Sequence, residues 1–279
     1  MCMTLEKAHL SQTTLYVGVS GEFHVCGYQN KVQSLMPRTG RGKTGGNAMI
    51  LPFPAVPGTM SQKNFLAGMD VCSHVLQDMA LAVTPPEPRN FTFSLGMERN
   101  LGVQIFELDI YTVVLAQKAR FIPDVIGDVR EEKRPPLKSD IFMGYDEWYP
   151  DWPIAVCCFN NEEAALANPL MVYYEPSRPE FLFAPALDSH TGEMPDLNAE
   201  VLIDHTVVVG ADNAPEGKGK VVRYQDKIPS HIKPYLPNSV MGAKMRTYLP
   251  NADFVFRTQQ VASGIFNPMR LLPPGAPRK

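Results

Sequence analysis

The chain has 279 residues, 44% of them apolar and 20% charged, with a formal net charge of −3. That length sits at the upper end of what one hydrophobic core supports, so one large domain and two fused lobes are both open. Its 26 prolines, about 9% of the chain against a usual ~5%, disfavour long helices, because proline fixes φ and removes a backbone donor.

The five cysteines, Cys2, Cys26, Cys72, Cys157 and Cys158, are odd in number and contain no CxxC pair. That pattern supports neither a disulfide framework nor a zinc knuckle, and it points to a reducing, cytoplasmic setting. Residues 1–12 lack the apolar core of a signal peptide, and no window approaches the ~18 apolar residues of a membrane span. A soluble protein without membrane contact is expected. Charge is segregated along the chain: residues 1–139 carry 14 basic and 12 acidic side chains, residues 140–216 carry 1 and 15, and residues 217–279 carry 11 and 2. An acidic middle and a basic last quarter can fold onto each other or steer a partner. Nucleic acid is disfavoured, because the acidic middle repels phosphate.

In chain order, Thr14–Ser20 and Glu22–Tyr28 read as two strands meeting at Gly21. Alternation along the second puts His24 and Cys26 on one face, where a thiolate–imidazolium pair is a candidate catalytic group. The Gly42-Lys43-Thr44 triplet does not complete a phosphate loop: Pro37 stands where the first glycine belongs, and an extended Pro-containing run follows instead of a helix. Phe65, Met69, Cys72, Leu76, Met79 and Val83 recur at steps of four and three, predicting one clear amphipathic helix over about 61–84 with Ser61 as its N-cap. Phe91–Leu95 and Val103–Leu115 read as further strands. On the second, Glu107 and Asp109 would share a face and could serve as an acid/base pair.

Residues 128–140, charged and proline-containing, read as a linker between an N-terminal lobe (1–127) and a β-rich C-terminal lobe (141–263). The segment Met143–Pro153 holds both tryptophans, and Trp148, Tyr149 and Trp152 are candidate contact residues for a lid or partner surface. Four apolar runs between Ile154 and Val209 read as an antiparallel meander. His190, Glu193, Asp204 and His205 lie within it and are the candidate ligands of a divalent metal, although HExxH and HxH spacings are absent. The last stretch, 264–279, reads as an extended Pro-rich basic tail, in which Arg270 and Arg278 are candidate contact residues.

The fold expected is therefore α+β, predominantly antiparallel β-strands with one clear helix and short helical turns. The function expected is a non-catalytic assembly or interaction protein, binding a protein partner or a second copy and needing no cofactor. The alternative is a metal-assisted hydrolase built on His190 and His205.

Overall fold

The structure, a computed structural model, describes residues 3–35, 46–66, 73–84, 99–101, 103–160, 165–166 and 168–277. Strands β1 (Met3–Thr4), β2 (Ala8–Ser20), β3 (Phe23–Ser34) and β4 (Gly46–Pro52) lead to helix α1 (Val75–Val83). Next come β5 (Arg99–Leu101), β6 (Val103–Leu108) and β7 (Tyr111–Ala116), then α2 (Ile122–Val125) and α3 (Ser139–Trp148). The chain continues through β8 (Ile154–Asn160), β9 (Ala165–Leu166), β10 (Leu170–Tyr174), β11 (Phe181–Ala184) and β12 (Glu200–Gly210). It ends with β13 (Lys220–Val221), β14 (Ser239–Pro250), β15 (Asp253–Arg257), α4 (Thr258–Ala262) and β16 (Met269–Leu271).

These strands form three sheets, ordered β1-β4-β8-β7-β6-β5, β10-β3-β2-β12-β14-β13 (with β9 on β3) and β11-β15-β16. Pairing is antiparallel except between β2 and β12, which run parallel. Alternation of side chains explains the layering. On β4, β7 and β8, Met49, Leu51, Val113, Leu115, Ala155 and Cys157 enter the core shared by the sheets. Their neighbours Ile50, Val114, Val156 and Cys158 face the opposite way, under Ile141, Phe142 and Tyr145 of α3. The second sheet is likewise two-sided: Val17, Cys26, Val207 and Val209 point to the shared core. Tyr16, Val25, Val208 and Val240 point out to Leu76 and Met79 of α1. The central strands of the two larger sheets are thus covered on both faces, which is why they read as continuous apolar runs. A fully buried side chain of this kind contributes ~1.5–3 kcal/mol.

The strand-dominated α+β expectation holds, and several local expectations change. The helix begins at Val75; Gln62–Asn64 is a single 3-10 turn that Ser61 opens, and Phe65 and Leu66 run extended beside Val172 and Met171. Met69 and Cys72 lie outside the described residues. Asn64, reaching the Tyr173 carbonyl through Nδ2 at 2.9 Å, ties that turn to β10 and ends the helical path. The run Val103–Leu115 is a hairpin, turning at Asp109, whose φ is +55°. The four apolar runs after Trp152 are strands, but they join different partners: β8 lies between β4 and β7, β10 pairs with β3, β11 with β15, and β12 with β2 and β14. Strands from both sides of residues 128–140 therefore share the two larger sheets. That segment packs against the first sheet, its Lys133 carbonyl standing where a Cβ on Gly46 would fall. The expected run Phe91–Leu95 lies outside the described residues, as does the Gly42-Lys43-Thr44 loop.

Candidate interaction surface

The β12–β14 ribbon packs its inner face on the shared core, through Ile203, Val201, Met245 and Leu249, and leaves its outer face and one edge open. β12 pairs with β2 only over His205–Val209, because β2 is interrupted between Ser11 and Thr14, with Gln12 at φ +56°. Beyond that point Glu200–Asp204 and Arg246–Pro250 continue as two strands alone. A two-stranded ribbon is marginal by itself in water, and here side chains clamp both ends. At one end Asp212 accepts from the backbone N–H groups of Asn238 (2.9 Å) and Ser239 (2.7 Å). At the other, Asn251 Nδ2 donates to the Asp188 and Asp196 carbonyls at 2.9 and 3.1 Å. Arg270 donates through Nε and Nη2 to the Pro250 carbonyl at 3.1 and 3.0 Å.

The backbone bonds at the two ends fix which groups face outward. Ala211 N–H donates to the Ser239 carbonyl at 2.8 Å, and Asn251 N–H to the Ala199 carbonyl at 2.9 Å. In an antiparallel pair, bonded and non-bonded positions alternate. With the register Gly210↔Val240 to Glu200↔Pro250, odd-numbered residues of β14 bond to β12 and even-numbered ones turn their backbone away from it. β13 takes up that side only at Ser239 and Val240. Among the described residues, no strand pairs with Gly242, Lys244, Arg246 or Tyr248 on that side. The Tyr248 carbonyl receives a 3.5 Å contact from Thr247 Oγ1. Four alternate residues thus present backbone donors and acceptors along one open edge, which Pro250 ends.

The outer face of the ribbon is polar and apolar by turns. α1 covers it around Val208 and Val240. Farther along, Leu202 and Tyr248 are direct cross-strand partners and remain 41% and 64% exposed. Lys244, Arg246, Asp204 and Glu200 complete the exposed set.

The remaining candidate residues lie elsewhere. His24 is buried on β3 against the Tyr174 ring, and burial lowers its pKa to about 4 although the Pro179 carbonyl and Glu180 oppose the shift. Cys26 follows on the same strand face, inside the shared core. His190 Nε2 lies 3.1 Å from Asp188 Oδ1, close enough for an ion pair but not aligned as a hydrogen bond. Burial lowers the His190 pKa to about 4 and raises that of Asp188, disfavouring the charged form of each. Glu193 is exposed, and its carbonyl accepts from Ser189 Oγ at 2.7 Å. Asp204 and His205 are sequence neighbours on β12 and therefore point to opposite faces, Asp204 outward and His205 into the interior. Among the described residues, no three His, Cys, Asp or Glu side chains gather as a metal-binding group.

Glu107 and Asp109 also separate. Glu107 meets Lys133 Nζ at 2.8 Å and Thr112 Oγ1 at 2.7 Å, while Asp109 holds the Asn168 backbone N–H at 2.7 Å from its turn. Tyr149 is buried, and its hydroxyl donates to Asp253 Oδ2 at 2.5 Å; Trp148 and Trp152 are half-buried in the aromatic row that runs from Tyr145 to Phe183. Arg270 lies 4.2 Å above the Phe254 ring, and burial lowers its pKa to about 10. The tail docks on its own chain: Gly275 N–H donates to the Trp148 carbonyl at 2.8 Å, and Ala276 is buried. Arg278 lies outside the described residues. A cleft beside Tyr16, lined also by Gly210, Asp212, Pro234 and Tyr235, holds about 60 Å³, well below the ~300 Å³ of small-molecule sites.

The fold and this surface define a β-rich α+β protein of packed antiparallel sheets in which, among the described residues, β14 carries a long open edge. Among the described residues, no helix is long and apolar enough to cross a membrane. No protein-family model and no curated protein matches the chain. Among solved structures it is similar to the crystal structure of baculovirus P35, at 13% identity and a TM-score of 0.41, over 98% of this chain and 99% of that one. A mutated baculovirus P35 after caspase cleavage gives 13% identity and a TM-score of 0.39, over 89% and 91% of the two chains. A likeness that distant says nothing of function.

Proposed function

We propose that this chain is a non-catalytic interaction protein whose contact surface is the β12–β14 ribbon. The observation that carries the reading is the exposed Leu202–Tyr248 pair beside the open edge of β14. A solvated aromatic–aliphatic pair on a clamped, two-stranded ribbon costs little further ordering when a partner covers it, and pre-organisation of that kind favours binding. Edge backbone groups add direction to the contact, since a partner strand can bond to them without rearranging the fold.

In-cell photo-crosslinking tests the reading. A benzophenone amino acid at position 248 should give discrete protein adducts that the Leu202→Glu variant loses while keeping its thermal stability. The same probe at position 19, also exposed (44%) but on the β2–β3 hairpin, should not give them. Equal adducts at both positions, or adducts insensitive to Leu202→Glu, would remove the ribbon as the contact surface.

A further inference from the structure

Resting on that reading, we propose that the occupant of the edge is an extended acidic segment of a partner protein, added as one more strand beside β14 from Gly242 to Tyr248. The charges on the ribbon are sorted by strand. Lys244 and Arg246 are exposed on β14, and among the described residues neither is in an ion pair. Asp204 and Glu200 are exposed on β12, one strand farther from the edge.

Distance decides which sign an added strand feels. Its side chains would stand about 5 Å from those of β14 but about 10 Å from those of β12. The second distance exceeds the ~8 Å Debye length at physiological salt, so the acids of β12 are largely screened while the cations of β14 act at close range. Carboxylates at alternate positions of the incoming strand would then lie on the outer face against Lys244 and Arg246. An apolar residue at the Tyr248 end would cover the tyrosine ring. Lysine and other charges on an edge strand also guard it against indiscriminate pairing, and here they set a preference. A second copy fits the edge poorly: a two-fold pairing about the middle of the free stretch brings the cations of one β14 against those of the other. Pro250, with no N–H and its carbonyl held by Arg270, limits the added strand to the four open positions.

The test uses the full chain and three fluorescent eight-residue peptides: alternating valine and glutamate, alternating valine and lysine, and the glutamate peptide N-methylated at alternate residues. Fluorescence anisotropy reads affinity, and amide hydrogen exchange reads location. The glutamate peptide should bind at least tenfold more tightly than either of the others, and it should slow exchange at Gly242, Lys244, Arg246 and Tyr248. The doubly exchanged Lys244→Glu, Arg246→Glu variant should reverse the preference between glutamate and lysine peptides. Equal binding of the two charge types, equal binding of the N-methylated peptide, or no binding would overturn the proposal. So would slow exchange at the same four amides that rises with protein concentration alone, since that places a second copy on the edge. Specific crosslinks from position 248 alongside indifference to the glutamate peptide would leave the interaction reading in place and remove the acidic strand.

Discussion

Replacing His24 by glutamine should remove a titration that burial has displaced. The imidazole is 3% exposed and its pKa is lowered to about 4 by burial, against ~6.5 for an unperturbed histidine. The sign follows from linkage. The folded state holds His24 neutral, so its contribution to stability is fully present above pH 6.5 and is lost as pH falls from 6.5 towards 4. Between pH 7 and pH 4.5 the unfolded chain takes up nearly a full proton at this site and the folded chain little, which amounts to a loss of roughly 2.5 kcal/mol at ~1.4 kcal/mol per pH unit. Groups common to the wild type and the His24→Gln variant cancel in the difference between them. Urea unfolding at the two pH values, extrapolated linearly, should therefore show the wild type losing about 2.5 kcal/mol more than the variant on acidification. At a denaturant slope of ~3 kcal/mol/M, the midpoint difference is about 0.8 M. Losses that agree within ~1 kcal/mol would mean that His24 is not held neutral, and the burial argument for it would fail.

Three other variants or probes test the packing. Tyr149→Phe removes a donor from the buried Asp253, whose pKa burial has raised to about 6 against that bond and two backbone N–H groups; the loss should be ~1–3 kcal/mol, seen as a lower thermal midpoint. Gly275→Val drives a Cβ into the Glu147 carbonyl oxygen, so the tail should leave α3 and trypsin should cut after Arg270, a bond that the wild type should protect. Cys26, Cys157 and Cys158 are buried, and burial raises the Cys158 thiol well above its ordinary range. A maleimide should therefore leave all three unlabelled in the native protein and react with them in concentrated guanidinium; rapid native labelling of Cys26 would reopen the thiol–imidazole reading.

The strand content was legible because its causes are local. Runs such as Ile154–Phe159 and Val207–Val209 are β-branched and aromatic, and the Gly21 turn, with φ +59°, is a short-range signal that the β2–β3 hairpin obeys. Partner choice is not local. Nothing in β8 states that it will lie between β4 and β7, because a strand buried on both faces has no polar side to fix its neighbour. The helix seam misled for a related reason. Phe65 fits a 3.6-residue period, but Asn64 bonded to Tyr173 commits that stretch to the sheet, an override of pattern by tertiary contact that the sequence does not carry. The aromatic cluster around Trp148 shows the same limit: its composition suits an interface, while the buried carboxylate of Asp253, about a hundred residues on, draws Tyr149 inward.

The open edge was hidden by the same non-locality, yet its parts were visible. The basic last quarter of the chain supplies Lys244 and Arg246 to β14, and the acidic middle supplies Asp204 and Glu200 to β12. Pairing the two segments lengthwise lays opposite charges on adjacent strands, with Asp204 directly across from Arg246 and Lys244 across from the uncharged Thr206. Which strand lies outside depends on β2, whose interruption at Gln12 ends its pairing with β12, and on β13, which covers β14 at only two residues. Register then selects which amides are free, because Asp212 and Asn251 hold the ladder at both ends. A shift of one residue would turn Lys244 and Arg246 inward and offer a different set of backbone groups. The proposed contact surface therefore rests less on the identity of its exposed residues than on the two clamps that set their phase.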